Sequence, residues 1–358
     1  MATSLILDIQ SSSVRGMLVT GKKIIFELGI DIPDRVSKES KPLTRNTIEA
    51  VKFIVEGVVK DFILRRDTTD KKIRIPSIDA IHCVISSPWI ISQAQIVSTS
   101  FDKEKKVTEK IVETLLKVEK AKPTLHVTKD GNRTGQLITI EKKVFSVLLN
   151  EYHVNDWQGK SAKTIDVSFV TSSASKSFID ELEEICKRVT TVKNITYHSS
   201  IILHYIASVG LAQNAAAHVC VHVHNEITDV VSIDKLGKIF FASYPVGFKT
   251  IVKRLSQSMG IKDSTASSML SLYSEMALDP THARNIGKLI EKIMAGWAHD
   301  YHEFLKVGGI PSKSHIHVFV SSEKYPKLFA KFMRLPGSLA KIEPITENIY
   351  PEAINSLA

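Results

Sequence analysis

"SLILDIQSSSVRGMLVTGKKIIFELGIDIP", residues Ser4 to Pro33, reads as three short strands joined by two tight turns. Asp8 stands just ahead of a bend made of Ser11, Ser12 and Ser13. An acid folded against three hydroxyls is either a phosphate-binding turn or an ordinary hairpin, and both readings stand on this stretch alone.

The unit returns later in the chain. "HVCVHVHNEITDVVSIDKLGKIFFASYPVGF", His218 to Phe248, again runs strand, polar turn, strand, a Gly-containing turn at Leu236 to Lys238, and strand. Two copies, each followed by helical sequence, predict an internally duplicated architecture. Two related lobes facing a cleft would place the two polar turns opposite each other.

Between the copies, Ile48, Val51, Ile54, Val55, Val58, Val59 and Phe62 fall at helical spacing, with Thr44 as the expected cap. "SIDAIHCVISSPW", Ser77 to Trp89, has the near-continuous apolar run of a strand buried on both faces. From about residue 90 to 170 the texture changes to strands around one helix, "KKVTEKIVETLLKVEKA", with "TKDGNRTG" as a loop; a small inserted α+β subdomain is the economical reading. Helices follow at "SKSFIDELEEICKRV", capped near Ser175, and at "SSIILHYIASVGLAQNA". After the second copy the chain is helical through "ARNIGKLIEKIMAGWAHDYHEFLKVGG", then closes with a strand, "SHIHVFVSS", a helix and a short tail.

A chain of 358 residues is too long for one core and fits two lobes, and 43% hydrophobic residues supply them. Cys83, Cys186 and Cys220 form no C-x-x-C pair and read as small apolar residues of a protein in a reducing compartment. No leader and no span of about 20 apolar residues is evident, so a cytoplasmic protein without direct membrane insertion is expected. The net charge of +9 is interleaved with acids, as in "FDKEKKVTEK", and lacks the aromatics on which bases would stack, so nucleic acid is not an expected partner.

The order of elements resembles the actin and sugar-kinase superfamily, and within it the bacterial division protein FtsA and its pilus-assembly relative PilM. "DIQSSSVRG" is similar to that family's first phosphate motif, with Asp8, Ser11, Ser12, Ser13 and Arg15 in matching places and Gln10 where the family has glycine. The insertion, through "VNDWQGKSAKTIDV", is similar to the FtsA subdomain, and PilM has a related one. The resemblance implies an α/β, actin-like (ribonuclease H-like), two-lobed duplicated fold. Its parts would be 1–89, the inserted subdomain at 90–170, 171–213, then 214–257 with 309–358, and a reduced helical insertion at 258–308.

The same resemblance makes the nucleotide site doubtful. The family cradles ATP on the backbone of glycine-rich turns, and its acids order Mg²⁺ and water. Its second phosphate motif, an acid, an apolar residue, three glycines, two threonines and an acid, falls on His222 to Asp229, where only Thr228 and Asp229 are kept. His224, Asn225 and Glu226 replace the glycines, and a Glu226 carboxylate 4 Å from a phosphate charge would cost about 4 kcal/mol at an effective dielectric near 20. The adenine-side glycines are replaced within Val320, Ser321, Ser322 and Glu323. Absent or weak ATP/Mg²⁺ binding follows, and no catalytic residue is assigned.

Alternation puts His218, Cys220, His222 and His224 on one face of a strand, a pattern that can ligate zinc, but Val219, Val221 and Val223 on the other face favour a central strand with cleft-lining polar groups. His299 and His302 lack a metalloprotease signature, and no metal site is expected. The resemblance implies an FtsA-like scaffold of a bacterial envelope machine, with cell division the expected setting, that binds protein partners or copies of itself; the alternatives are a PilM-like adaptor of pilus assembly and an active ATPase or small-molecule kinase of the same fold. The tail, "NIYPEAINSLA", carries no amphipathic helix of the kind FtsA proteins use, so recruitment to a membrane would need a partner. Tyr152 and Trp157, in a polar stretch of the insertion, are either an interface contact or a cover over the subdomain's core.

Overall fold

The computed structural model describes residues 3–32, 43–68, 78–118, 136–211, 218–233, 239–307, 317–322, 324–333, 341–346 and 348–356. The expected loop "TKDGNRTG", the turn at Leu236 to Lys238, and Glu323 lie outside them.

The opening stretch forms β1 (Thr3–Ile9), β2 (Ser13–Thr20) and β3 (Lys23–Asp31), an antiparallel meander in which Ile9 pairs with Val14 and Thr20 with Lys23. Helix α1 (Leu43–Thr68) then provides the crossover that a parallel neighbour requires. It leads to β4 (Ile78–Ile85), which runs parallel to β1, and β9 (Ile195–Ser199) adds parallel to β4. The sheet order is β3-β2-β1-β4-β9. Val51, Ile54, Val55 and Val58 of α1 pack with Leu5, Leu7, Ile9 and Val14 of the sheet, as their spacing predicts. The helix comes so close at Gly16 that a Cβ there would lie 2.6 Å from Ile54 Cγ2. Thr44 does not cap α1, since the helix already runs from Leu43.

Between β4 and β9 the chain forms β5 (Ile90–Lys106), α2 (Glu109–Val118), β6 (Leu137–Leu149), β7 (Tyr152–His153) and β8 (Ser161–Ser175). Their sheet, β5-β8-β6-β7, has its own core of Val97, Val107, Val112, Val147, Ile165, Val167 and Phe169. Trp157 is half-buried against that core, whereas Tyr152 is 76% exposed. Helix α3 (Lys176–Val189) returns to the first sheet through Phe178, Ile179 and Leu182. Ser175 takes its N-cap position, but its hydroxyl bonds Ser177 Oγ at 2.9 Å rather than a backbone N–H. Glu141 of β6 ties the two sheets together: its carboxylate accepts the Ser199 N–H at 2.9 Å and faces His198 Nδ1 at 3.3 Å.

Helix α4 (Ser200–Leu211) leads to β10 (His218–Val223), β11 (Thr228–Ile233) and β12 (Ile239–Tyr244). Helices α5 (Phe248–Met259), α6 (Asp263–Ser274) and α7 (Pro280–Val307) follow. Then come β13 (His317–Ser322), α8 (Pro326–Phe332), β14 (Lys341–Pro344) and α9 (Tyr350–Asn355). The sheet order is β12-β11-β10-β13-β14, with β13 parallel to both β10 and β14. Read along the chain, both five-stranded sheets have the order third, second, first, fourth, fifth, which is the duplication expected from the repeated opening unit. The helices pack through Trp297 of α7, which stacks on Tyr301 at 5.5 Å and meets the edge of Phe329 at 5.1 Å.

The chain divides into two compact units, Met1–Ile9 with Ser13–Ser200 and Ile233–Phe241, and Gln10–Ser12 with Ile201–Ser232 and Ala242–Ala358. Cys83, Cys186 and Cys220 are free and buried. No helix among the described residues is long and apolar enough to cross a membrane.

Candidate functional site

In both sheets a short polar turn joins the first two strands. In the second unit this turn is His224 to Ile227, closed by a bond from the His224 N–H to the Ile227 carbonyl at 2.8 Å. The carbonyls of His224 and Asn225 accept the N–H groups of Phe248 and Lys249 at 2.9 and 2.8 Å. Those donors open α5. A helix start is where free N–H groups and the helix dipole would hold an anion, and here the turn itself takes them. Gly247 permits the contact, because a Cβ there would lie 2.4 Å from His224 O and 2.6 Å from Ile227 N. Glu226 reaches Lys249 Nζ at 3.2 Å.

Thr228 and Asp229, the residues expected to keep a phosphate motif, are likewise engaged. Thr228 donates its hydroxyl to the Val246 carbonyl at 2.8 Å. Asp229, fully buried, meets His224 Nε2 at 2.9 Å through one oxygen and accepts from Ser243 Oγ at 2.6 Å through the other. A Ser-His-Asp grouping therefore exists in composition only. Ser243 donates to the acid rather than to the imidazole, so the acid stands between hydroxyl and imidazole and the serine–histidine contact of a triad is not made.

Behind His224 the rings continue inward. His222 lies 4.2 Å from His224 and 4.3 Å from His204 of α4, centroid to centroid, and His204 meets the edge of Tyr350 of α9 at 5.3 Å. His222 Nδ1 is 2.5 Å from Ser321 Oγ, and its Nε2 is buried without a hydrogen-bond partner. Burial, and after it the neighbouring His224 and His204, hold the His222 imidazole well below its ordinary pKa. Ser322, within the stretch expected to correspond to an adenine-side motif, places its hydroxyl 3.0 Å from the Val223 carbonyl and 2.7 Å from that of Lys324. Val219, Val221 and Val223 are buried as thoroughly as Cys220, His222 and His224, as suits a strand flanked on both sides. No group of three or more His, Cys, Asp or Glu among the described residues is placed to hold a metal ion.

At the turn of the first sheet Asp8, near the end of β1, is buried and stands in register opposite Arg15. Ser11, Ser12 and Ser13 are buried too, and Ser11 Oγ has no hydrogen-bond partner. Arg15 does not join them: it is half-exposed and pairs with Glu27 of β3 at 3.6 Å, its stem lying against Gly29. The hydroxyl turn is thus buried, while Arg15, expected to belong with it, is directed to Glu27. His204, Ser243, Gly247 and Tyr350 escaped the sequence reading. Of these only His204 left a signal, as the one imidazole inside the apolar run "SSIILHYIASVGL".

No protein-family model matches the sequence, and no curated protein matches it. Among solved structures, a chain of the PilM-PilN type IV pilus biogenesis complex superposes with a TM-score of 0.58 at 13% identity, over 98% of this chain and 89% of that one. The fold is actin-like. The ethanolamine utilization protein EutJ from Carboxydothermus hydrogenoformans gives a TM-score of 0.48 at 10% identity, over 99% and 89% of the two chains. A Bacteroides thetaiotaomicron protein of actin-like ATPase fold and unknown function gives 0.40 at 9% identity, over 99% and 95%.

Proposed function

We propose that this chain is an actin-fold scaffold of a bacterial envelope machine, acting by protein-protein contact, in which Asp8, Ser11, Ser12, Ser13 and Arg15 after β1, and separately Thr228 and Asp229 after β10, are vestiges of nucleotide motifs. The observation that carries the reading is Asp229, whose two carboxylate oxygens are both taken up inside the protein by His224 and Ser243. Each oxygen of this buried acid is already held by a protein donor, and the first two N–H groups of α5 are satisfied by the carbonyls of His224 and Asn225. Phosphoryl transfer depends on positioned electrostatics at such points, and here the geometry supports a binding protein rather than an ATPase or small-molecule kinase.

Two settings fit. The FtsA-like insertion motivates cell division. The PilM-like setting, an adaptor in pilus assembly, is favoured by one further observation, the superposition on a chain solved within a PilM-PilN complex. In-cell crosslinking of the tagged chain tests the proposal. The expected result is capture of division or pilus components at a level independent of added ATP, with no phosphate release by the purified protein. Sustained Mg²⁺-dependent ATP hydrolysis would overturn it.

A further inference from the structure

We propose that Cys83 of β4 and Cys186 of α3 are an oxidisable pair, which hydrogen peroxide joins into a disulfide that clasps the base of the inserted sheet. Both residues lie in the first compact unit. This inference goes beyond the scaffold reading and stands without it, because it needs only the two thiols and the chain between them.

Cys83 and Cys186 are free thiols, both fully enclosed in one core with Leu7, Ile81, Ile85 and Leu182. They reach that core from its strand side and its helix side. Cys83 stands in register opposite Leu7 and Tyr197, and Cys186 opens the last turn of α3, where the Thr190 N–H closes on its carbonyl. The two thiols are hydrogen-bonded to each other. Donating that bond, and after it burial, hold the Cys83 thiol well above its ordinary pKa, while accepting it brings Cys186 down. Cys186 is therefore the sulfur that ionises first and attacks. Its sulfur forms an S–O bond as the O–O bond of the peroxide breaks, and the departing hydroxide takes up the proton that Cys186 gave. Cys83 then passes its proton to the hydroxyl on Cys186 and displaces it, so that one S–S bond forms and a second water leaves. Two thiols are oxidised and one peroxide is reduced to two waters. The last turn of a helix opens more readily than its middle, which admits the oxidant and gives the sulfurs room to close.

Placement in the chain gives the bond its effect. β4 leads into β5, and α3 follows directly on β8. The disulfide closes a loop that holds residues 84–185, the inserted sheet with them, and fixes α3 to β4 where the chain enters and leaves. The third thiol, Cys220, belongs to the other unit and bonds Ser208 instead of a sulfur, so it serves as an internal control.

Treatment of the folded full chain with hydrogen peroxide, followed by unfolding in N-ethylmaleimide and peptide mass mapping, tests the pairing. The expected result is a linked peptide joining Cys83 to Cys186, two hydrogens lighter than its reduced parts, reversed by dithiothreitol and absent in Cys186→Ser, with Cys220 left as a blockable thiol. Blockable thiols at both Cys83 and Cys186, sulfinic acid at Cys186 with Cys83 unreacted, or links scrambled to Cys220 would each overturn the proposal. The link is read in the wild-type chain, so its assignment does not depend on a variant that folds. Segment-resolved hydrogen exchange then tests the clasp: opening of α3 should fall about tenfold or more on oxidation, with α7 unchanged. Equal exchange of α3 in the reduced and oxidised chains would refute it.

Discussion

The turn after β1 and the turn after β10 hold the same place in sheets of the same strand order, yet they have gone different ways. Gln10 to Ser13 stays small and hydroxyl-rich, with Ser11 Oγ unsatisfied inside the protein. His224 to Ile227 has become bulky and closed, its carbonyls on α5 and its imidazole on Asp229. The strands on either side are apolar in both units, with Leu5, Leu7, Ile9 and Val14 in one and Val219, Val221, Val230 and Val231 in the other. Burial of such residues, at about 25 cal/mol per Å² of apolar surface, holds each sheet without help from its turn. The turn chemistry can then change while the fold persists.

The sharpest way to break the comparison is to remove the acid of each turn. Asp229→Ala strands a buried imidazole, so urea unfolding should show a loss of about 3–5 kcal/mol. Asp8→Ala should cost less than half of that, and equal losses would mean that the two turns are equivalent after all. Gly247→Ala comes next: a Cβ 2.4 Å from His224 O must push the turn off α5, at about 1–3 kcal/mol, with the change confined to second-unit exchange peptides. An unchanged melting curve would show that the turn is not seated there. In the insertion, Trp157→Ala should lower stability by about 2 kcal/mol or more through its core contact, and Tyr152→Ala by under about 0.5 kcal/mol. If Tyr152→Ala alone also reduces partner capture, Tyr152 takes the interface role that the sequence left open for this pair of aromatics. Smallest is Arg15→Ala, where loss of a half-exposed ion pair should cost under about 1 kcal/mol and fade with salt.

The sequence made the duplication legible because its signal lies in long apolar strands and one well-spaced helix. It concealed the fifth strand of each sheet. β9, "ITYHS", and β14, "KIEP", have five and four residues, too few to show a period, and β14 ends on a proline. That His224, Asn225 and Glu226 stand where the resemblance implies glycines was readable from identity alone. What replaced them was not, because His204, Ser243, Gly247 and Tyr350 come from α4, β12, the approach to α5 and α9, and only the tertiary structure assembles them around His222 and Asp229. Arg15 shows the converse: its place in a motif was readable, but its direction depends on Glu27 across a strand pair.

The central claim is that the second turn is filled by the protein and leaves nucleotide little to hold. Thermal unfolding of the full chain with and without 1 mM Mg-ATP, a concentration of about the dissociation constant anticipated for such a site, tests it most directly. Stabilisation at that ratio is RT ln 2, about 0.4 kcal/mol, so the account predicts a rise in Tm of about 2 °C or less. A rise of about 8 °C or more, saturating at micromolar nucleotide and absent in Asp8→Ala, would contradict it.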